Sequence, residues 1–220
     1  VTTPTLPDIS IDTPTTTDAR RDPIRGVLVD EVLGHRLLLI GDTVLQATSP
    51  RAGGIMCDLV TGFGWDVVIE AERGRPVEFA GEVLDEVLEL DDWDVVGLMF
   101  GHHIPGTVDE FERSLDRALD RLGSRPVILY TAAEVGGDQV AVNRIVRQRR
   151  QSRPNVVIVD WAAAVADEPD VLLDDGGPQP TTDGAGRLAL LTAAALGSTP
   201  DGRPGSCLDP QFTDDSAIIL

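Results

Sequence analysis

The sequence predicts a three-layer α/β/α sandwich built around a five-stranded parallel sheet. Five short runs rich in Val, Ile and Leu recur along the chain without in–out alternation, the pattern of strands buried on both faces. Amphipathic segments with helical spacing separate them, and regular alternation of this kind builds parallel sheets. No apolar run approaches the roughly 18–20 residues that span a bilayer.

The first run, Leu37–Ile40, ends in Gly41-Asp42-Thr43. The second, Val67–Ile69, leads through Ala71-Glu72-Arg73-Gly74-Arg75 to a helix marked by Phe79, Val83, Leu84, Val87 and Leu88. The third, Val95–Phe100, is followed by Gly101-His102-His103. Thr107-Val108-Asp109-Glu110 then has the form of a capping box, in which the threonine and glutamate side chains satisfy each other's backbone N–H groups. Phe111, Leu115, Ala118, Leu119 and Leu122 continue that helix. Val127–Tyr130, a helix from Val140 to Arg150, Val156–Val159 and a helix from Asp183 to Leu196 complete the alternation. The expected strands cover about 37–41, 66–70, 94–100, 126–131 and 155–160, with ends uncertain by about 2–4 residues. In a flavodoxin-like order, 2-1-3-4-5, ligands sit beyond the carboxyl ends of the strands, where strand order reverses. The residues after the first and third strands therefore carry the most interest.

The formal charge is −19, from 37 acidic residues against 18 arginines and no lysine. Such a surface repels phosphate backbones and anionic lipid, which argues against nucleic-acid and membrane-surface partners. Arg147, Arg149, Arg150 and Arg153 form a basic cluster at a helix C-terminus, where cations suit the dipole. Asp91, Asp92 and Asp94 read as a solvated turn at the other end of the sheet. Trp65, Trp93 and Trp161 border strands as packing anchors, with sugar stacking open to any that is exposed.

Residues 1–23, rich in Thr, Pro and Asp, read as a linker or stalk. Residues 24–197 form the domain and 198–220 a C-terminal tail. The two cysteines, Cys57 and Cys207, are too far apart in sequence for a zinc ribbon or a redox CxxC pair. Either they are unrelated thiols or they pin the tail to the body. We expect the disulfide, with Cα atoms about 5–6 Å apart, and it would require an oxidising compartment.

The segment LLLIGDTVLQA at 37–47 resembles the first block of the SGNH (GDSL-type) hydrolase family, in which the residue at Thr43 is a serine nucleophile. The segment 71–75 resembles the second block, whose glycine, Gly74 here, lends an N–H to the oxyanion hole. Leu98 to His103 resembles the Gly-x-Asn-Asp block, and 174–184 resembles the closing block that carries the catalytic aspartate and histidine. The departures matter most. Thr43 stands for serine, His103 for the oxyanion-binding asparagine and Gln179 for the catalytic histidine. Gly176 stands for the aspartate, with Asp175 beside it. A carboxamide cannot take or return a proton near neutral pH, so ordinary hydrolysis is not expected.

For His102 and His103 three readings stand: a structural or solvated role, an N–H donor at the oxyanion position, or a relocated base on Thr43 oriented by Asp42. A metal site from these histidines with Asp42 and Asp175 is weaker, because adjacent loop histidines lack ligand spacing. The sequence calls for no cofactor. What the resemblance implies is an extracytoplasmic domain, secreted or tethered by an upstream anchor, that has lost catalysis. It would bind an acylated glycan, another cell-envelope component or a membrane acyltransferase. The alternative is an active acyl esterase or O-acyltransferase using Asp42, Thr43, Gly74 and a histidine.

Overall fold

The computed structural model describes residues 26–90 and 92–212. Five strands, β1 (Arg36–Gly41), β2 (Asp66–Ala71), β3 (Val95–Met99), β4 (Val127–Tyr130) and β5 (Val156–Val159), form one parallel sheet in the order β2-β1-β3-β4-β5. The expected alternation and strand order both hold. The helices are α1 (Thr43–Gln46), α2 (Ile55–Thr61), α3 (Glu78–Leu90), α4 (Val108–Leu122), α5 (Gln139–Ser152), α6 (Trp161–Asp167) and α7 (Thr182–Leu196). The capping box of Thr107 and Glu110 starts α4.

Successive strand residues point to opposite faces, and this builds two cores. Leu37, Leu39, Val67, Ile69 and Ile128 pack under α1, α2, α6 and α7. Leu38, Ile40, Val68, Val96 and Leu129 pack under α3, α4 and α5. Trp65, Trp93 and Trp161 are wholly buried, so sugar stacking on them is excluded.

Two surface readings need correction. Asp94 is structural: its carboxylate accepts the N–H groups of Gly34 at 3.2 Å and Arg36 at 2.9 Å, fastening the entry to β1. Asp92 is exposed, and Asp91 lies outside the described residues. The arginine cluster also does more than complement a helix dipole. Arg149 bridges to Glu112 and Asp116, Arg153 to Asp120, and Arg147 to Asp160, lacing α5 to α4 and to the start of α6. Burial pushes the Asp160 carboxyl up, but the Thr131 hydroxyl, the Ala163 N–H and Arg147 outweigh it and hold it below its ordinary value.

The segments at either end of the described residues pack on the body. Val29 N–H donates to Leu196 O at 2.8 Å, tying the segment before β1 to the end of α7. The tail runs along β2: Val67 N–H donates to Ser206 O and Leu208 N–H to Val67 O, each at 2.8 Å. A sheet edge with unpaired backbone groups is thereby covered. Cys57 and Cys207 form a disulfide with Cα atoms 5.4 Å apart. The linker at 1–23 and the apolar end of the tail fall outside the described residues.

Candidate functional site

At the carboxyl edge of the sheet, β1 ends at Gly41, which faces Met99 of β3. Asp42 continues this register through its N–H to Met99 O at 3.1 Å. The Asp42 side chain is fully buried. Its Oδ1 caps α1 by accepting the Val44 N–H at 3.0 Å, the standard service of an aspartate before a helix. Its Oδ2 accepts from His102 twice, from the backbone N–H at 3.3 Å and from ring Nδ1 at 2.9 Å.

The other ring nitrogen of His102 is also occupied. Ala133 N–H donates to His102 Nε2 at 2.9 Å. A backbone N–H can only donate, so Nε2 carries the lone pair and Nδ1 the proton. Both nitrogens of the neutral ring are spent on joining the ends of β1, β3 and β4. Gly101, at φ 115°, makes the turn that brings the ring there, and a Cβ on it would press on Val142 at 2.6 Å.

Thr43, the first residue of α1, is partly exposed. Among the described residues its hydroxyl makes one hydrogen bond, accepting the Gly74 N–H at 2.9 Å. Gly74 adopts φ 73° in the loop after β2, a conformation that glycine takes without the Cβ penalty. The N–H of the second block thus points at the threonine oxygen.

Gln179 sits beside this pair by way of Arg73. Arg73 Nη2 donates to Gln179 Oε1 at 2.9 Å, across 106 residues of sequence. Gln179 thus spans from the loop before α7 to the loop after β2. Asp175 is exposed and accepts the Gly177 N–H at 2.8 Å in its own turn. It makes no hydrogen bond to Thr43, His102 or Gln179.

The relocated-base reading fails for His102 because neither nitrogen is free to face Thr43. It finds no support at His103 either. His103 is exposed, makes no hydrogen bond to Thr43, and lines a separate cleft of about 470 Å³ with Val77, Glu78, Ile104 and Phe111. Among the described residues no group of three His, Cys, Asp or Glu is placed to hold a metal ion.

A groove of about 1260 Å³ opens between α1 and its following turn, the end of β2, the Gln179 loop and the tail. Sequence reasoning missed three of its residues. Arg73 stood inside a quoted motif but next to its glycine. Arg51 lies in a one-turn segment without periodicity. Glu70, at the end of β2, is buried and accepts the tail N–H groups of Gln211 at 2.5 Å and Phe212 at 3.1 Å. Burial pushes the Glu70 carboxyl above its ordinary value despite these bonds and the nearby Arg51. A carboxylate following the apolar run Val67–Ile69 was the one signal available.

No protein-family model matches the chain, and no curated protein does. Solved structures do. The acetylxylan esterase Axe2 from Geobacillus stearothermophilus is similar with a TM-score of 0.61 and 20% identity, covering 74% of this chain and 94% of that one. The C-terminal catalytic domain of Streptococcus pneumoniae peptidoglycan O-acetyltransferase A has a TM-score of 0.61 and 18% identity, with coverages of 74% and 93%. A lipolytic protein of the G-D-S-L family from Desulfitobacterium hafniense DCB-2 has a TM-score of 0.62 and 14% identity, with coverages of 74% and 100%.

Proposed function

The chain carries the fold of the SGNH (GDSL-type) hydrolases, and on that premise we propose that it is a binding domain that has lost hydrolysis. Its ligand is a glycan of the cell envelope, held in the groove beside Thr43, and its location is extracytoplasmic. The observation that carries this reading is the commitment of the candidate base. His102 gives one nitrogen to Asp42 and takes the Ala133 N–H on the other, while Gln179 at the histidine position is bonded to Arg73. Acyl transfer needs a group that takes the hydroxyl proton and later returns it, and among the described residues Thr43 has none bonded to it. Without base or nucleophile function, a triad site retains roughly 10³–10⁴-fold over water, too little for ordinary turnover.

A glycan ligand is supported by analogy of fold with esterases and a transferase named for xylan and peptidoglycan. The extracytoplasmic location is supported by the disulfide. Among the described residues no helix is long and apolar enough to cross a membrane.

The test is hydrolysis of p-nitrophenyl acetate by the wild type and by Thr43→Ala. Equal, near-background rates are expected. A rate lost on removing the Thr43 hydroxyl would instead establish the esterase alternative, which the retained Thr43–Gly74 contact favours.

A further inference from the structure

Some arginines of this acidic chain pair with carboxylates, as Arg75, Arg147, Arg149 and Arg153 do. Two arginines of the groove do not. Among the described residues, Arg73 bonds only the neutral carboxamide of Gln179, and Arg51 is exposed with no ion pair. The groove carboxylates have other partners as well: Glu72 pairs with Arg75 at 2.7 Å, and Glu70 accepts two backbone N–H groups of the tail while Arg51 acts on it only through space. Asp209, on the tail wall, is the one lining carboxylate without a partner among the described residues. Two arginines therefore stand among three carboxylates in the groove lining, a far more even balance than that of a chain of charge −19.

We propose that this groove recognises a sugar bearing an isolated anionic group, a carboxylate or a phosphate, gripped by the guanidinium groups of Arg73 and Arg51. The inference rests on reading the groove as a binding site. Replacement of an imidazole by an amide anchored to arginine exchanges a proton acceptor for a positioned donor. Arginine is suited to this role because its planar fork meets carboxylate or phosphate oxygens with two parallel N–H bonds. Gln179 takes one N–H of that guanidinium, at Nη2, and leaves the others to donate. The charge of the whole chain repels polyanions, so the ligand carries sparse charge along an otherwise neutral sugar.

The test is calorimetric titration of the full chain at 0.1 M salt with three probes: a neutral oligosaccharide carrying one uronic acid residue, a trisaccharide carrying one phosphate monoester, and uncharged xylotriose. We expect a charged probe to bind at least about tenfold more tightly than xylotriose, a preference worth about 1.4 kcal/mol. Binding of the carboxylate arm alone, the phosphate arm alone or both supports the proposal and identifies the anion. Arg73→Gln and Arg51→Gln should each remove most of that preference without lowering the melting temperature. Arg73→Lys, which keeps charge but not the fork, should keep part of it. Xylotriose binding as tightly as the charged probes would overturn the anionic specificity while leaving a glycan-binding groove. Arginine variants that retain the preference, or no binding of either charged probe at millimolar concentration, would overturn the proposal too. Thr43-dependent ester hydrolysis, read in a separate assay, would instead remove the reading on which it rests.

Discussion

Two polar regions share the carboxyl edge of the sheet and serve different ends. At the β1–β3–β4 junction, Asp42, His102 and the Ala133 N–H satisfy one another in a site from which water is almost excluded. In the groove a few residues away, Arg51, Arg73 and Gln179 are exposed or half-exposed. A carboxylate and an imidazole at hydrogen-bond distance resemble catalytic machinery. Their burial and the direction of the second ring nitrogen make them structural. The residues with bonding capacity to spare lie in the groove.

That contrast can be broken by mutation. The largest effect belongs to the tail that walls the groove. Cys57 and Cys207 are 150 residues apart, and loss of a loop that long costs about 5 kcal/mol in the chain-entropy model. For a domain of this size that corresponds to a fall of roughly 10–20 °C in melting temperature. Cys57→Ala/Cys207→Ala, read by calorimetry, should show it. A fall of under about 3 °C would mean that backbone pairing to β2 holds the tail unaided.

Next comes His102→Ala, which leaves the Asp42 carboxylate buried without its partner and orphans the Ala133 N–H. A cost of about 3–5 kcal/mol is expected in chemical denaturation. His103→Ala should stay within about 0.5 kcal/mol, as exposed positions do. Equal costs for the two neighbours would undo the contrast.

Glu70→Gln has a smaller effect of opposite sign. Because burial raises the native carboxyl above its ordinary value of 4.5, the native state holds the proton more tightly than the unfolded chain. Stability from this group is therefore full below that value and declines as pH rises through the native one. The amide keeps an oxygen for the Gln211 and Phe212 N–H groups and removes the buried charge. Its melting temperature should exceed the wild type's at pH 7 by about 1–3 °C, and the difference should vanish toward pH 4. A variant less stable at pH 7 would show that the charge strengthens the clamp.

The smallest change is expected from Gln179→Ala, within about 0.5 kcal/mol, because its bond to Arg73 is exposed. A loss above about 1.5 kcal/mol would make Gln179 as structural as His102.

The sheet was legible because strands buried on both faces must be apolar throughout, and the long helices because their apolar spacing is unbroken. The short helices α1, α2 and α6, of four, seven and seven residues, offer too few turns for a period to show. The tail segment at 206–208 has no period, since β2 pairing, the disulfide and Glu70 place it. At the site, the position of Thr43 and Gly74 followed from the strand ends. The split between His102 and His103 could not be read, because adjacent residues differ there only in direction, which the Gly101 turn decides. Arg73 and Gln179 meet across 106 residues, beyond the reach of local pattern.

The central claim is that no base acts on Thr43. Incubation with a fluorophosphonate, followed by intact-mass and peptide analysis, tests it most directly, since only an activated hydroxyl reacts at useful rate. The account predicts unmodified protein after hours at neutral pH, with a serine hydrolase labelled in the same tube. A stoichiometric adduct on Thr43 would contradict it.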